Sequence, residues 1–172
     1  MAETIAPATS DVDFADFAAL VRDYVEWSRH RYAGDAWFMD AAFGHQALDA
    51  ELAEGFPAYR PPGGCTLLAK RDRRTLGGVA YRRLSDEACE MKRLFVRAEG
   101  QGRGLGRRLC LALMEAARIS GYRVMRLDTA DLFGEAIALY RTVGFRDCPP
   151  FHAYPETISP RIVFMERPLS DP

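Results

Sequence analysis

Lysine is almost missing from this chain: of 23 basic residues only Lys70 and Lys92 are lysines, and arginine supplies the rest. That skew reads as compositional bias. With 24 acidic residues the formal net charge is −1, which argues against a strongly basic nucleic-acid binder. The four cysteines, at 65, 89, 110 and 148, form no C-x-x-C pair, and His30, His45 and His152 do not accompany them at ligand spacing. A zinc motif and a disulfide framework are therefore not expected; the expectation is reduced, mostly buried thiols and no metal. No apolar run approaches the ~18 residues of a membrane span. The opening "MAETIAPATS" has neither the basic nor the apolar region of a secretion signal. A soluble cytoplasmic protein with no nucleic-acid or membrane partner is the expectation.

What is present fits one domain of 172 residues, 48% of them hydrophobic, enough to build a core. No repeat, low-complexity tract or linker divides 1–172. Residues 1–9 read as a loose tail. Ser10 and Asp13 form a capping-box pattern, and Phe14, Phe17, Val21, Tyr24 and Val25 recur at helical spacing, so a helix is expected over 11–30. A second helix is expected over 39–54, ended by Gly55 and Pro57. "CTLLAK" (65–70), "LGGVAYRRL" (76–84) and "ACEMKRLFV" (88–96) read as hairpin-linked strands. A helix over 104–120, a strand over 122–129, a short helix in "FGEAIALYRTVGF" and a strand over 161–167 complete the pattern. The fold class expected is α/β (α+β): a mixed, mostly antiparallel sheet of six to seven strands flanked by about four helices, in the order α-α-β-β-β-α-β-α-β-β.

"EGQGRGLGRRL" (99–109) joins a strand to a helix and places glycine at every second position from 100 to 106. Unpaired N–H groups and the dipole at a helix N-terminus attract anions. Glycine permits close backbone approach, and Arg103, Arg107 and Arg108 add charge. The loop therefore reads as a phosphate site. It is not a Walker loop, having no G-K-[ST]. It is also not the dinucleotide G-x-G-x-x-G, although Asp128 lies where that fold wants an acid. Alternation along the preceding strand sets Glu90, Lys92, Leu94 and Val96 on one face.

At these residues the sequence resembles the GNAT superfamily of N-acetyltransferases, and within it a group of small single-domain bacterial members. "QGRGLG" (101–106) matches the Q/R-x-x-G-x-G/A signature, and "EMKRLFV" and "AIALYRTVGF" resemble the family's fourth strand and C-terminal segment. The resemblance implies acetyl-CoA as cosubstrate. Its pyrophosphate would lie on Gln101, Gly102, Arg103, Gly104, Leu105, Gly106 and Arg107. Its pantetheine arm would run beside Leu94, Phe95 and Val96, with Thr129, Ala136 and Tyr140 lining the channel. Arg97 would either reach a phosphate or lie in solvent. The segment "LDTADLFGEA" lacks the asparagine common in the family, so Thr129 or Asp131 would replace it.

Acetyl transfer to an amine needs a base, because alkyl amines are protonated near neutral pH. The resemblance casts Glu90 as base or water relay, Tyr140 as acid to the CoA thiolate, and the Val96 N–H as oxyanion donor. Glu90 paired with Lys92, or Glu90 as an anchor for the amine, is the alternative. Cys89 and Cys110 read as core residues rather than nucleophiles. The acceptor site would draw on 28–40 and 148–161, with Tyr32, Trp37, Phe38, Phe151 and Tyr154, and with Asp35, Asp40, Arg31 or His152 for charge. Filling of core and dimer surface by those aromatics is the competing reading. The expected activity is transfer of acetyl to a primary amine, a small or amino-acid-like molecule, in a ternary complex. An acyl-CoA sensor without turnover and an NAD(P) oxidoreductase are the alternatives. A homodimer is a family-level expectation.

Overall fold

The computed structural model describes residues 3–169. In chain order the elements are β1 (Thr4–Pro7), α1 (Asp11–Arg31), α2 (Ala36–His45), α3 (Leu48–Glu54), β2 (Cys65–Arg71), β3 (Arg74–Arg83), β4 (Ala88–Val96), α4 (Leu105–Ile119), β5 (Val124–Ala130), α5 (Gly134–Thr142), β6 (Arg146–Asp147) and β7 (Ile162–Pro168). The seven strands form one sheet in the order β1-β2-β3-β4-β5-β7-β6. Only β4 and β5 run parallel; every other neighbouring pair is antiparallel. This is the mixed, mostly antiparallel architecture expected.

The helix termini follow local chemistry. Ser10 caps α1: its hydroxyl accepts from the Asp13 N–H, and the Asp13 carboxylate accepts from the Ser10 N–H at 3.1 Å. The α4 helix lays Leu105, Leu109 and Leu113, each at most 1% exposed, on one face of the sheet. Burying each such side chain contributes about 1.5–3 kcal/mol. The opposite face carries a second core of Phe17, Leu20, Phe38, Phe43 and Phe56 beneath α1 to α3.

Three expectations need correction. The residues read as a loose tail include β1, an edge strand paired with β2 from Thr4↔Lys70 to Pro7↔Leu67; the first two residues of that tail lie outside the described ones. Glu3 ties the strand down through Arg71 and Arg108, partners remote in sequence. The helix expected over 39–54 is two, broken at Gln46 and at Ala47, whose φ is +54°. The order expected ends in two strands after the last helix, and the structure supplies both: the two-residue β6 pairs with β7.

The third correction fixes the site. β4 does not alternate regularly. Arg93 has φ +62°, and the β3–β4 register jumps from Ala80↔Lys92 to Gly78↔Phe95. This bulge inverts the pleat. Leu94 and Val96 thus join Cys89 and Met91 on the α4 side, while Phe95 turns to the α1 side. Glu90 and Lys92 do not share a face with Leu94 and Val96. Beyond the bulge β4 also leaves β5: the two pair only from Ala88↔Val124 to Glu90↔Arg126. The remainder of β5, Leu127–Ala130, bonds only to β7, so a gap opens through the sheet.

Candidate active site

Two cavities meet at that gap. The outer one, about 520 Å³, is a groove between α1, β4 and the start of α4 and α5. The inner one, about 60 Å³, lies under α2 between β4 and β5. Tyr24, Leu94, Thr129, Phe133 and Tyr140 border both.

The glycine loop forms one end of the outer groove. Gly102 and Gly104 have φ of +76° and +69°, and a Cβ on either would meet nothing within 4 Å. Backbone conformation, not crowding, calls for glycine at these two positions. Gly104 precedes the first turn of α4, whose N–H groups have no side-chain cap. The amide of Gln101 donates to the Val96 carbonyl at 2.9 Å and fastens the loop to β4. Of the residues expected to hold a cosubstrate, Leu94, Phe95, Val96, Gln101, Gly102, Gly104, Leu105, Gly106, Arg107, Thr129, Ala136 and Tyr140 all line this groove. Arg103 is exposed and does not. Arg108 turns away to Glu3. Arg97 takes neither expected place: it pairs with Asp23 of α1 at 2.6 Å and donates to the Thr75 carbonyl.

The inner cavity ends in buried charge. Asp128 Oδ1 lies 3.1 Å from Lys92 Nζ, and its Oδ2 accepts from the Tyr154 hydroxyl at 2.7 Å. Gln46, presented by the break between α2 and α3, donates to Tyr154 at 3.1 Å and accepts from Arg93 at 2.8 Å. Arg93 is paired with Glu51 at 2.8 Å. The bulge and the helix break, neither legible in the sequence, therefore meet at one hydrogen-bond network.

Glu90 stands behind this cavity and lines neither space. It is 0% exposed and is held by Arg82 at 2.9 Å, His152 at 3.0 Å and Lys92 at 3.5 Å. Burial alone would raise its pKa. The His152 hydrogen bond and the charges of Lys92 and Arg82 outweigh burial and hold the carboxyl down at about 2. Such a carboxylate is a poor proton acceptor near neutral pH. Its geometry is that of the alternative reading, the ion pair with Lys92. One donor atom each of Glu90, Asp128 and His152 lies within 4.8 Å of the others, a spacing a divalent cation could use. The Lys92 ammonium already supplies positive charge there.

Tyr140, on α5, is buried in the α4-side core, and burial raises its pKa well above the usual value. It stays protonated at the junction of the two cavities. Cys89 and Cys110 are buried in the core, and desolvation pushes both thiols up to about 12. They are not activated nucleophiles. Among the acceptor-side residues expected from the sequence, Tyr154 reaches the inner cavity and Tyr32 and Arg31 the outer groove. Asp40 pairs with Arg29, Asp35 with Arg161, and Trp37 is 56% exposed. Phe151 packs on Phe164.

A mixed sheet split between its parallel strands, with a glycine loop and an uncapped helix N-terminus opening onto the split, is the scaffold of an acyltransferase. A model of the acetyltransferase (GNAT) family matches residues 20–145, and the chain belongs to that family. An uncharacterized N-acetyltransferase of Schizosaccharomyces pombe is 35% identical over 160 residues, 92% of this chain and 90% of that protein. The PaiA N-acetyltransferase of Thermoplasma acidophilum, solved with coenzyme A, superposes with a TM-score of 0.71 at 16% identity, covering 98% of this chain and 99% of that one. A Salmonella typhimurium structure holding acetyl-CoA gives 0.68 at 22% identity, covering 99% and 96%. At these identities the two solved structures speak for the fold. No described helix is long and apolar enough to cross a membrane.

Proposed function

We propose that the protein transfers the acetyl group of acetyl-CoA to a primary amine of a small molecule by direct attack in a ternary complex. One observation carries this reading: the groove that begins at the glycine loop ends at Tyr140, where it meets a second cavity floored by Asp128. Donor and acceptor thus have separate spaces and one meeting point. The relatives solved with coenzyme A and acetyl-CoA support the choice of donor.

In this reading the loop N–H groups and Arg107 take the pyrophosphate, and the pantetheine arm runs beside Leu94, Phe95 and Val96. The thioester enters the gap between β4 and β5, past Thr129 and Ala136. The inner cavity has a volume of about 60 Å³, which suits the amino end of a small acceptor better than a folded protein surface. Asp128 faces that cavity and takes the amine's proton. Glu90 holds Lys92 and His152 in place and is a positioning residue. Amine nitrogen then bonds to the carbonyl carbon and the carbon–sulfur bond breaks while the Tyr140 hydroxyl donates a hydrogen bond to the departing thiolate; the second proton, lost by the nitrogen as the amide forms, passes to the thiolate or to solvent.

Isothermal titration with acetyl-CoA, with NAD and ATP as controls, tests the donor. Micromolar binding of acetyl-CoA alone is expected; binding of NAD in its place would restore the oxidoreductase reading. Thiol release across a panel of small amines tests turnover. A protein that binds acetyl-CoA and releases no thiol with any amine would be a sensor.

A further inference from the structure

Seven tyrosines occur in the chain, and four of their hydroxyls donate hydrogen bonds. Tyr59 donates to Glu51, Tyr81 to Ser120, Tyr122 to the Gly63 carbonyl and Tyr154 to Asp128. Of the other three, Tyr32 lines only the outer groove, and Tyr24 and Tyr140 stand at the junction. Both residues border both cavities. Among the described residues no buried side-chain polar atom lacks a partner, so these two hydroxyls, which make no hydrogen bond to protein, open onto the cavity space, where a ligand can meet them. Two such donors at one junction offer partners for a ligand's polar atoms.

The two tyrosines approach the gap from opposite faces of the sheet. Tyr140 belongs to the core under α4 and α5. Tyr24, on α1, packs against the other core. Four aromatic neighbours fix its ring: Phe95 at 5.5 Å, Phe43 at 5.8 Å, Phe133 at 6.1 Å and Trp27 at 6.5 Å. A thioester threaded through the gap with its sulfur at Tyr140 carries its carbonyl group onward, toward the α1 face.

We infer that the Tyr24 hydroxyl donates a hydrogen bond to the carbonyl oxygen of the bound thioester, an inference that rests on the acetyl-CoA reading above. The bond strengthens as charge gathers on that oxygen during amine attack. Because the ring is already held, little reorganisation accompanies the reaction. Tyr24 is then a catalytic residue distinct from Tyr140, which serves the sulfur.

The test is isotope-edited infrared spectroscopy of acetyl-CoA carrying a 13C carbonyl, bound to the wild-type protein and to the Tyr24→Phe and Tyr140→Phe variants. Phenylalanine keeps every ring contact and removes only a hydroxyl that no protein group uses, so the variants fold as the parent does. The wild type is expected to lower the carbonyl frequency relative to free acetyl-CoA. Tyr24→Phe should bind acetyl-CoA by titration yet lose most of that shift, whereas Tyr140→Phe should keep it. With an amine, Tyr24→Phe should lose about tenfold or more in kcat, as removal of an oxyanion donor does. A carbonyl frequency unchanged between wild type and Tyr24→Phe overturns the inference, even if the variant has a raised KM for the amine. Wild-type protein that binds no acetyl-CoA would instead bring down the donor reading, and the inference with it.

Discussion

Lys92 Nζ lies 3.1 Å from Asp128 Oδ1, and that ion pair spans the gap where β4 has stopped pairing with β5. It replaces, between these strands, the backbone bonds lost beyond Glu90. Lys92 also stands 3.5 Å from Glu90, so one ammonium answers two buried carboxylates. Removing one partner from a buried pair leaves an uncompensated charge, at a cost of about 3–5 kcal/mol. Lys92→Met is expected to lower stability by that order at neutral pH, measured by urea unfolding. A change no larger than that of a surface substitution would show that the pair contributes nothing to holding the gap.

Glu90 makes stability depend on acidity. Its folded pKa, about 2, lies below the unfolded value of about 4.3. A depressed carboxyl contributes stability that is complete above the unfolded pKa and is lost as pH falls toward the folded one. The window is therefore about pH 4.3 down to about 2, and the contribution is on the order of 3 kcal/mol. Glu90→Gln should be less stable than the parent near neutral pH and should lose less on acidification across that window. Parallel stability curves for the two proteins would show that the carboxylate has no such linkage.

Much of this arrangement could be read from the chain, and the rest could not, for physical reasons. The Ser10–Asp13 capping box and the glycine loop are local, and local chemistry decides them. The bulge at Arg93 is not local. Its φ of +62° is uphill for arginine, and the ion pair with Glu51, 42 residues away in sequence, accompanies it. Regular alternation predicts one face for Glu90, Lys92, Leu94 and Val96, and it fails at that residue. The break at Gln46–Ala47 is of the same kind, since Gln46 leaves the helical path to meet Arg93 and Tyr154. Both departures lie at the inner cavity, where functional geometry is expected to override local preference. That is also why Asp128 and Gln46 were not recognised together. They come from elements far apart in the chain, with no motif to link them.

The glycine loop allows a sharper test. Gly104 has φ +69°, and its missing Cβ would point into open space. Gly104→Glu therefore does two things: it strains the turn before α4, and it sets a carboxylate beside the N–H groups proposed to hold the donor's pyrophosphate. Loss of acetyl-CoA binding is expected, by more than about tenfold in Kd, since like charges at a helix N-terminus exclude an anion. Gly104→Ala separates the two effects, because it strains the backbone without adding charge. Titration of both variants, with folding checked by circular dichroism, reads the outcome. Equal donor affinity in folded Gly104→Glu and the wild type would remove this loop from the donor site.

Tyr140 is the remaining test, because it concerns the leaving group rather than the bound donor. Burial raises its pKa, so the hydroxyl carries its proton at every pH at which the enzyme could work, and the departing thiolate, with a pKa near 8.5 for an ordinary thiol, would gain little by taking it outright. The benefit lies in partial transfer while the carbon–sulfur bond is breaking, an interaction made only in the transition state. Tyr140→Phe should accordingly lower kcat by about a hundredfold, as loss of a general acid does, and leave the Kd for acetyl-CoA nearly unchanged. The deficit should also shrink with an acyl donor whose leaving group is more acidic, because that group needs less help. Steady-state kinetics with the fastest amine of the panel, run with acetyl-CoA and with a more activated aryl thioester, measure both. A constant deficit across the two donors would assign Tyr140 to packing at the cavity junction and leave solvent to protonate the thiolate.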